Sequence, residues 1–326
     1  MVFFRILLKI ISFLFFFLKF RSLKTAFLFS HYNLPLSYSK MIKRSKSSIL
    51  FLNSGNSIPI SQLFLFKSAL STLFKVLNCK EAIIEKTYSK GFLLNFNTIY
   101  LNVFSVENIA TVKEIFLETI YDIRIPDENA VFIDIGLNVG YASLYFSSNN
   151  KISHIYSYEP FLSTFNEANK NLLLNPILNT KISPVNKGIS DYSGSIKVPL
   201  YESGSAIAST NDVFINHTIS DKNKLELINV EIENIINVLN DVFIKHPLSN
   251  IFIKLDCEGE EYKIIEAIDN PNFLNKIKGL IIEWHILGPN KIIEVLIKHN
   301  YCVMHFPRHV DMGLNEAKTG MIYAFK

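Results

Sequence analysis

Residues 131–140 read Val-Phe-Ile-Asp-Ile-Gly-Leu-Asn-Val-Gly, and they predict the centre of the fold. The apolar run 131–133 is typical of a strand that is buried on both faces of a parallel sheet. Asp134 ends this run, and Gly136 and Gly140 predict a turn into a helix, because glycine adopts backbone angles that other residues avoid. The stretch therefore predicts a strand, a ligand-facing turn and a helix.

This turn lacks the glycine fingerprint that is usual for dinucleotide binding. Asp134 and Val139 stand where G-x-G-x-x-G has its first and third glycines, which argues against a nicotinamide oxidoreductase. A carboxylate at this place suits the hydroxyl or ammonium groups of a ligand better than a phosphate. S-adenosylmethionine (SAM), which has an amino-acid portion, fits this pattern, and a turn without any ligand is the alternative.

A second strand is predicted over 152–158, and it ends at Glu159 and Pro160. Glu159 lies 19 residues after Gly140, near the spacing at which an acidic residue accepts hydrogen bonds from ribose hydroxyls. A solvated glutamate at a strand end is the alternative. Together with the glycine turn, this spacing favours a cofactor that carries a ribose.

Two later strands, predicted over 250–255 and 279–285, also end in ionisable residues. Ligands of open α/β sheets bind at the carboxyl ends of the strands, so these residues are candidates for catalysis. The candidates are Asp256, Glu283 and His285, with Glu258 close to them. His285 is a candidate proton acceptor, with a hydrogen-bonded packing role as the alternative. Asp256, Glu258 and Glu283 also suit Mg²⁺ or Ca²⁺, but Lys254 supplies a counter-charge and we expect no metal.

Composition bounds the class of protein. The 326 residues suffice for one large α/β domain and an appendage. Three widely spaced cysteines form neither a disulfide framework nor a zinc pattern, so we expect a reducing compartment. Residues 1–80 contain 12 basic and no acidic residues, whereas the remainder has a net charge of −8. This asymmetry favours a membrane surface as partner, and we expect no nucleic acid.

The first segment, residues 1–24, is predicted to form a basic amphipathic helix. Its polar residues lie on one helical stripe: Arg5, Lys9, Ser12 and Lys19. The uncharged run Ile10–Leu18 is nine residues long, far short of the roughly 20 that span a bilayer. We expect a helix at the membrane interface and a cytoplasmic protein that is peripheral on the cytoplasmic face of a membrane. A signal sequence, or a helix packed on a protein core, is the alternative.

Residues 25–104 read as a mixed helical and β extension without a motif, and 105–326 as the cofactor-binding domain. Within that domain, the polar stretch 193–216 is either a substrate-facing loop or a surface hairpin. Elsewhere strands alternate with helices after Glu159, which is the pattern of α/β folds.

Six stretches carry a resemblance to a known family: FIDIGLNVG (132–140), YSYEP (156–160), NLLLN (171–175), NKGISD (186–191), IKLDCEGEE (253–261) and IIEWH (281–285). In this order and spacing, the chain resembles the FkbM-type family of SAM-dependent methyltransferases over roughly residues 105–326. The resemblance implies a class I methyltransferase fold, which is Rossmann-like α/β with helices on both faces of a seven-stranded, mostly parallel sheet. The implied strand order is 3-2-1-4-5-7-6, with the last strand antiparallel.

The resemblance also implies residues that contact SAM: Asp134, Gly136, Asn138, Gly140 and Glu159. Asn186, at the start of the NKGISD stretch, joins these candidates. Leu137 stands where the family usually has alanine, a small change that leaves the predicted site intact.

We therefore expect an O-methyltransferase that acts on a hydroxyl of a saccharide, a glycolipid or a related small molecule. Asp256 or His285 would accept the proton of the acceptor. A SAM-binding interaction module without catalysis and a nicotinamide-dependent oxidoreductase are the other hypotheses. Titration with SAM and with NAD separates them.

Overall fold

The computed structural model describes residues 2–126, 128–200, 226–285, 287–311 and 316–326. The chain divides into two compact units, Met1–Ile120 and Tyr121–Lys326. The boundary that we expected between residues 104 and 105 therefore falls inside the first unit. Of the polar stretch 193–216, the part from 201 onward lies outside the described residues.

The first unit contains five α-helices and six strands among its described residues. The helices are α1 (Val2–Phe20), α2 (Leu23–His31), α3 (Ile60–Leu63), α4 (Leu70–Leu77) and α5 (Val106–Val112). The strands are β1 (Ile42–Arg44), β2 (Ser48–Phe51), β3 (Ser57–Pro59), β4 (Ala82–Thr87), β5 (Phe92–Phe96) and β6 (Ile99–Val103). They form two antiparallel sheets, β1-β2-β3 and β4-β5-β6.

Aromatic side chains form much of the core of this unit. The ring of Phe29 in α2 packs edge-on against Phe16 and Phe20 of α1, with ring centroids 5.2 and 5.9 Å apart. Phe29 also contacts Phe74 of α4 at 5.5 Å. These rings hold α1 to its own unit. No helix among the described residues is long and apolar enough to cross a membrane.

The second unit alternates strands and helices. Its strands are β7 (Ala130–Ile135), β8 (Ile152–Tyr158), β9 (Ile182–Val185), β10 (Gly188–Ser190), β11 (Gly194–Leu200), β12 (Glu226–Asn234), β13 (Asn250–Leu255), β14 (Ile277–His285), β15 (Cys302–Asp311) and β16 (Glu316–Phe325). Its described helices are α6 (Tyr141–Ser147), α7 (Leu162–Leu173), α8 (Pro176–Asn179), α9 (Ile235–Lys245), α10 (Glu261–Ala267), α11 (Pro271–Leu274) and α12 (Asn290–Lys298).

Seven of these strands form one sheet in the order β9-β8-β7-β13-β14-β16-β15. The first five are parallel to one another, and β16 lies antiparallel to both β14 and β15. This is the order 3-2-1-4-5-7-6 with an antiparallel last strand, so the predicted class I methyltransferase fold is confirmed. The strands β10, β12 and β11 form a smaller separate sheet.

The central strand β7 shows why the sheet is covered on both sides. Val131 and Ile133 pack into one core with residues of α9, α10 and α12. Phe132 points the other way and stacks on Phe146 of α6, with centroids 4.3 Å apart. A strand with apolar residues on both faces needs helices on both faces, and the topology brings β7 and β13 side by side, where the strand order reverses.

Candidate active site

The loop after β7 approaches the end of β13 so closely that only glycine fits. Gly136 has a φ of +92°, and a Cβ atom there would lie 1.9 Å from the carbonyl oxygen of Asp256. Lys254 Nζ donates to the Gly136 carbonyl at 2.6 Å. Gly140, with a φ of +88°, caps the start of α6. Two strand ends and the loop are thereby fixed together.

Glu159 lies at the end of β8 and holds this loop from the other side. Its Oε2 accepts from the Asn138 backbone N–H at 2.9 Å, and its Oε1 from the Phe161 backbone N–H at 3.1 Å. The side chain is only 5 % exposed. Burial raises the pKa of Glu159 to about 7, although the two backbone N–H groups oppose this shift. The carboxylate retains acceptor capacity for further donors, because each oxygen has more than one lone pair.

Asp134 is buried completely, beneath the loop. Its Oδ2 accepts from Ser143 Oγ at 2.6 Å, and its Oδ1 lies 3.1 Å from Lys254 Nζ. Burial lowers the pKa of Lys254, but Asp134 and Asp256 outweigh burial and raise it above its ordinary value. We predicted a direct contact between Asp134 and the cofactor. In the structure its buried carboxylate pairs with Lys254, which donates to the Gly136 carbonyl, and the contact with the cofactor stays a prediction.

Two asparagines support the loop and the strand ends by bonding to backbone. The side chain of Asn186, a predicted cofactor contact, donates to the carbonyls of Glu159 and Pro160 at 2.8 and 3.1 Å. Asn171, in the NLLLN stretch, donates to the Val139 carbonyl at 2.8 Å. Asn186 therefore lies beside Glu159 with its amide bonded to the protein, and its contact with the cofactor stays a prediction.

The backbone and side-chain groups around this loop fit SAM. Gly136 lets the loop lie against the end of β13, and the Glu159 carboxylate at the end of β8 can accept from two ribose hydroxyls. The roles of the six predicted cofactor contacts all stay predictions: Asp134, Gly136, Asn138, Gly140, Glu159 and Asn186.

Next to this loop, Asp256, Glu258 and His285 bring their polar atoms within 4.8 Å of one another. His285 Nε2 lies 3.6 Å from Glu258 Oε2 and 4.0 Å from Asp256 Oδ1. Asp256 and Glu258 keep 28 % of their side chains exposed, so the cluster opens to solvent. The group can exchange a proton with a bound molecule, and its ligand types could also accept a divalent cation.

Glu261 orients the imidazole from the buried side. Its Oε1 accepts from both the backbone N–H and Nδ1 of His285, at 2.8 and 2.9 Å, and its Oε2 accepts from the Gly259 backbone N–H at 2.8 Å. A carboxylate oxygen only accepts, so Nδ1 carries the proton in this bond. The other ring nitrogen, Nε2, is then directed at Asp256 and Glu258.

The charges in this cluster shift its pKa values in opposite directions. Burial opposes a charged imidazole, but the carboxylates of Glu258 and Glu261 outweigh it and raise the pKa of His285 well above its ordinary value. Burial also raises the pKa of Glu258 to about 8, against the opposing effect of His285. Asp256 differs, because Lys254 and His285 overcome the effect of burial and lower its pKa.

Glu283 is not one of the three residues whose polar atoms lie within 4.8 Å of one another, but its charge acts on both Glu258 and His285. Its Oε1 lies 3.8 Å from Arg308 Nη1, and its side chain is mostly buried. A catalytic role for Glu283 stays a prediction.

The sequence did not single out three residues that complete the site. Tyr121 donates its hydroxyl hydrogen to Asp256 Oδ2 at 3.0 Å, and it precedes every predicted motif. Ser143, on the first turn of α6, carried no signal of its own. Glu261 looked like a helix-start glutamate, which the helix dipole explains sufficiently. A pattern of two carboxylates flanking a glycine, as in Glu258-Gly-Glu-Glu261, is the one signal that could have indicated it.

Comparison with known proteins agrees with this geometry. The model of the methyltransferase FkbM domain matches residues 134–302, just over half of the chain, including the strand ends described above. The methyltransferase sdnD of Sordaria araneosa is 22 % identical over 218 residues, 61 % of this chain and 83 % of that protein. Methyltransferase 1 of Beauveria bassiana is 24 % identical over 180 residues, 52 % and 71 % of the two chains.

Among solved structures, the methyltransferase FkbM of Methylobacillus flagellatus superposes with a TM-score of 0.39 at 14 % identity, covering 62 % of this chain and 45 % of that one. The assignment depends on the family model rather than on this superposition. The chain therefore belongs to the FkbM family of methyltransferases, and its methyl donor is S-adenosylmethionine.

Proposed function

We propose that this protein transfers the methyl group of SAM to a hydroxyl oxygen, so that it is an O-methyltransferase. The observation that carries the proposal is the His285 ring, whose Nδ1 is fixed by Glu261 at 2.9 Å and whose Nε2 is directed at the strand-end carboxylates. Asp256, one of these carboxylates, touches the glycine loop through its own backbone. A proton acceptor therefore lies next to the predicted cofactor loop.

Methyl transfer from SAM requires two things of the protein, which are positioning of the acceptor and removal of its proton. SAM supplies an electrophilic methyl group on a positively charged sulfur. The protein must hold the acceptor oxygen in line and remove its proton. As the bond between oxygen and methyl carbon forms and the bond between sulfur and methyl carbon breaks, the hydroxyl proton passes to His285 Nε2.

The pKa directions favour His285 over Asp256 as the base. A carboxylate whose pKa is lowered by Lys254 and His285 is a weak proton acceptor, and it suits a role in orienting the hydroxyl. An imidazole whose pKa is raised by neighbouring carboxylates is a stronger base once it has lost its proton. Glu283, paired with Arg308, suits a role in orienting the acceptor.

The acceptor is proposed to be a saccharide or a glycolipid. Asp256, Glu258 and Glu283 offer several carboxylate oxygens, and one sugar ring presents several hydroxyl donors to such a set. The same carboxylates repel a phosphate group, which favours an acceptor that is neutral where it enters the site.

We propose that transfer proceeds without a metal ion. Lys254 lies 3.1 and 3.6 Å from carboxylate oxygens of Asp134 and Asp256, so a cation already balances charge at these two strand ends. Turnover is expected to be unchanged in EDTA. Loss of turnover in EDTA with recovery on adding Mg²⁺ would show instead that Asp256, Glu258 and His285 bind a cation.

The test uses methyl-labelled SAM and glycan and glycolipid fractions from a strain that lacks the gene. Label is expected in one of these fractions in a form stable to mild alkali, as methyl ethers are and methyl esters are not. His285→Asn is the matched variant, since an amide N–H replaces Nδ1 and nothing replaces Nε2. Transfer should fall by roughly 10²–10⁴-fold.

Two outcomes contradict the proposal. Alkali-labile label, or label in protein, would overturn O-methylation of a saccharide. SAM binding without transfer to any fraction would favour the hypothesis of a non-catalytic binding module.

A further inference from the structure

Helix α1 turns its polar residues towards its own unit. Phe16 is buried in the core of the unit. Lys9 Nζ donates to the His31 carbonyl, and Lys19 Nζ to Ser39 Oγ, each at 3.4 Å. Both lysines lie on the side of the helix that packs, so the opposite side has no cation among its described residues.

That opposite side is apolar and exposed. At about 100° per residue, the exposed apolar side chains cover roughly 200° of the helix circumference. Nine of them are described, and the most exposed, Leu18, is 74 % accessible. The nine residues are Ile6, Leu7, Leu8, Ile10, Ile11, Leu14, Phe15, Phe17 and Leu18. We call this surface the α1 apolar face. A continuous apolar face of this kind marks a binding surface rather than a surface in water.

We propose that the α1 apolar face inserts into the interface of an anionic lipid bilayer. A helix that docks in a protein groove presents anchors at i, i+3, i+4 and i+7, which is a narrower stripe than this face. A bilayer accepts a wide apolar arc with the polar stripe turned away from the acyl chains, and α1 has this arrangement. The finding that no described helix could cross a membrane agrees with a helix that lies in the interface.

The charge around α1 selects an anionic surface. Residues 1–80 contain 12 basic residues and no acidic ones, so no carboxylate opposes the approach of this segment to anionic headgroups. Each cation near such a leaflet strengthens binding by roughly fivefold at low salt. Attachment should therefore weaken as salt is raised.

A groove beside α1 has the mixed chemistry of this interface. It has a volume of about 530 Å³ and is lined by Arg5 and Lys9 together with Leu8, Ile11 and Leu36. Cations at an apolar wall match a lipid whose anionic headgroup meets its acyl chain. The long side chains of Arg5 and Lys9 can reach such a headgroup while their stems follow the apolar wall.

The experiment measures sedimentation of the full-length protein with two kinds of vesicle. One kind is phosphatidylcholine alone, and in the other part of it is replaced by phosphatidylglycerol. We expect binding to the anionic vesicles that falls with salt. The variant Leu7→Glu/Leu14→Glu/Leu18→Glu should lose this binding, by roughly 100-fold or more, because apolar burial is replaced by repulsion.

A matched variant separates insertion from charge. Leu173→Glu/Ile177→Glu/Leu248→Glu adds the same charge at exposed apolar positions outside α1, of which Leu248 is the most exposed at 92 %. It should bind the vesicles nearly as wild type does. Thermal unfolding should be the same for both variants, because all six positions are at the surface.

Three results would overturn the proposal. The first is that the wild type fails to sediment with either kind of vesicle. The second is that both Glu variants bind equally well. The third is that the wild type forms a dimer in buffer that only the α1 variant loses, without any binding to vesicles, which would show that the face joins two copies of the chain.

Discussion

Two carboxyl groups near the strand ends, those of Glu159 and Glu258, hold their protons more tightly than the same groups do in water. Burial raises the pKa of Glu159 to about 7 and that of Glu258 to about 8. Between the unfolded pKa of about 4.3 and these values, the folded protein binds more protons than the unfolded chain. The contribution of these two groups to the free energy of unfolding therefore falls as pH rises through this window. Shifted pKa values that lower stability in this way are common at sites that bind ligands.

This shift predicts that SAM binding is linked to a proton at Glu159. The ionised carboxylate is the better acceptor for ribose hydroxyls, so affinity should rise as pH increases through about 7. Calorimetric titration at about pH 6 in buffers of different ionisation enthalpy should show a proton released on binding. Glu159→Gln should release at least half a proton fewer. Equal proton release by the two proteins would contradict a role of Glu159 in the binding step.

The His285 pKa offers a second test, which needs no acceptor. Removing the charge of Glu258, 3.6 Å from Nε2, should lower the pKa of His285 by about 1–3 units. The imidazole proton signal, assigned with His285→Asn, can be followed by NMR in Glu258→Gln. Glu266→Gln is the control, because Glu266 is exposed on the same helix, α10. An unchanged His285 titration in Glu258→Gln would contradict the cluster described above.

Among the loops that connect strands and helices, the loop after β7 requires a glycine at position 136. Gly136→Ala would place a Cβ atom 1.9 Å from a backbone oxygen and would also strain a φ of +92°. We expect a loss of at least about 3 kcal/mol in the stability of the second unit. Gly288→Ala is the matched control, with a φ of +79° and nothing within 4 Å of its Cβ position, and it should cost about 1–2 kcal/mol. Urea unfolding measures both, and equal losses would contradict the close approach.

The strand order was predictable, and the small sheets of the first unit were not. The parallel strands β7 and β13 are each six residues long, contain an apolar run and are followed by glycine or an acidic residue, so sequence pattern and resemblance indicated them together. Strands β1 and β3 are three residues long, too short for an alternating pattern to emerge.

The site was predictable as a set of strand ends but not as a set of contacts. The bond between Glu261 and His285 joins residues 24 positions apart, and it depends on how α10 starts relative to the end of β14. The burial of Asp134 depends on Lys254, one strand away. Such contacts depend on how neighbouring elements are aligned with one another, which the sequence of a single strand does not determine.

The whole chain separates two kinds of surface chemistry. Residues 1–80, inside the first unit, have basic residues and no acidic ones. The described strand-end residues of the site lie in the second unit. We therefore expect a fragment of residues 121–326 to bind SAM within about threefold of the full chain, since this unit includes the whole seven-stranded sheet. Titration of the isolated fragment tests this. A fragment that is folded by circular dichroism and does not bind SAM would contradict it.

The most direct measurement of the central claim is a calorimetric titration of the full-length protein with SAM and, separately, with NAD. The account predicts that SAM binds and that NAD does not. Glu159→Ala should weaken SAM binding by roughly 10- to 150-fold, because two ribose hydroxyls lose a charged acceptor worth about 1.5–3 kcal/mol. Unchanged SAM affinity in a correctly folded Glu159→Ala protein, or no SAM binding by the wild type, would contradict the account.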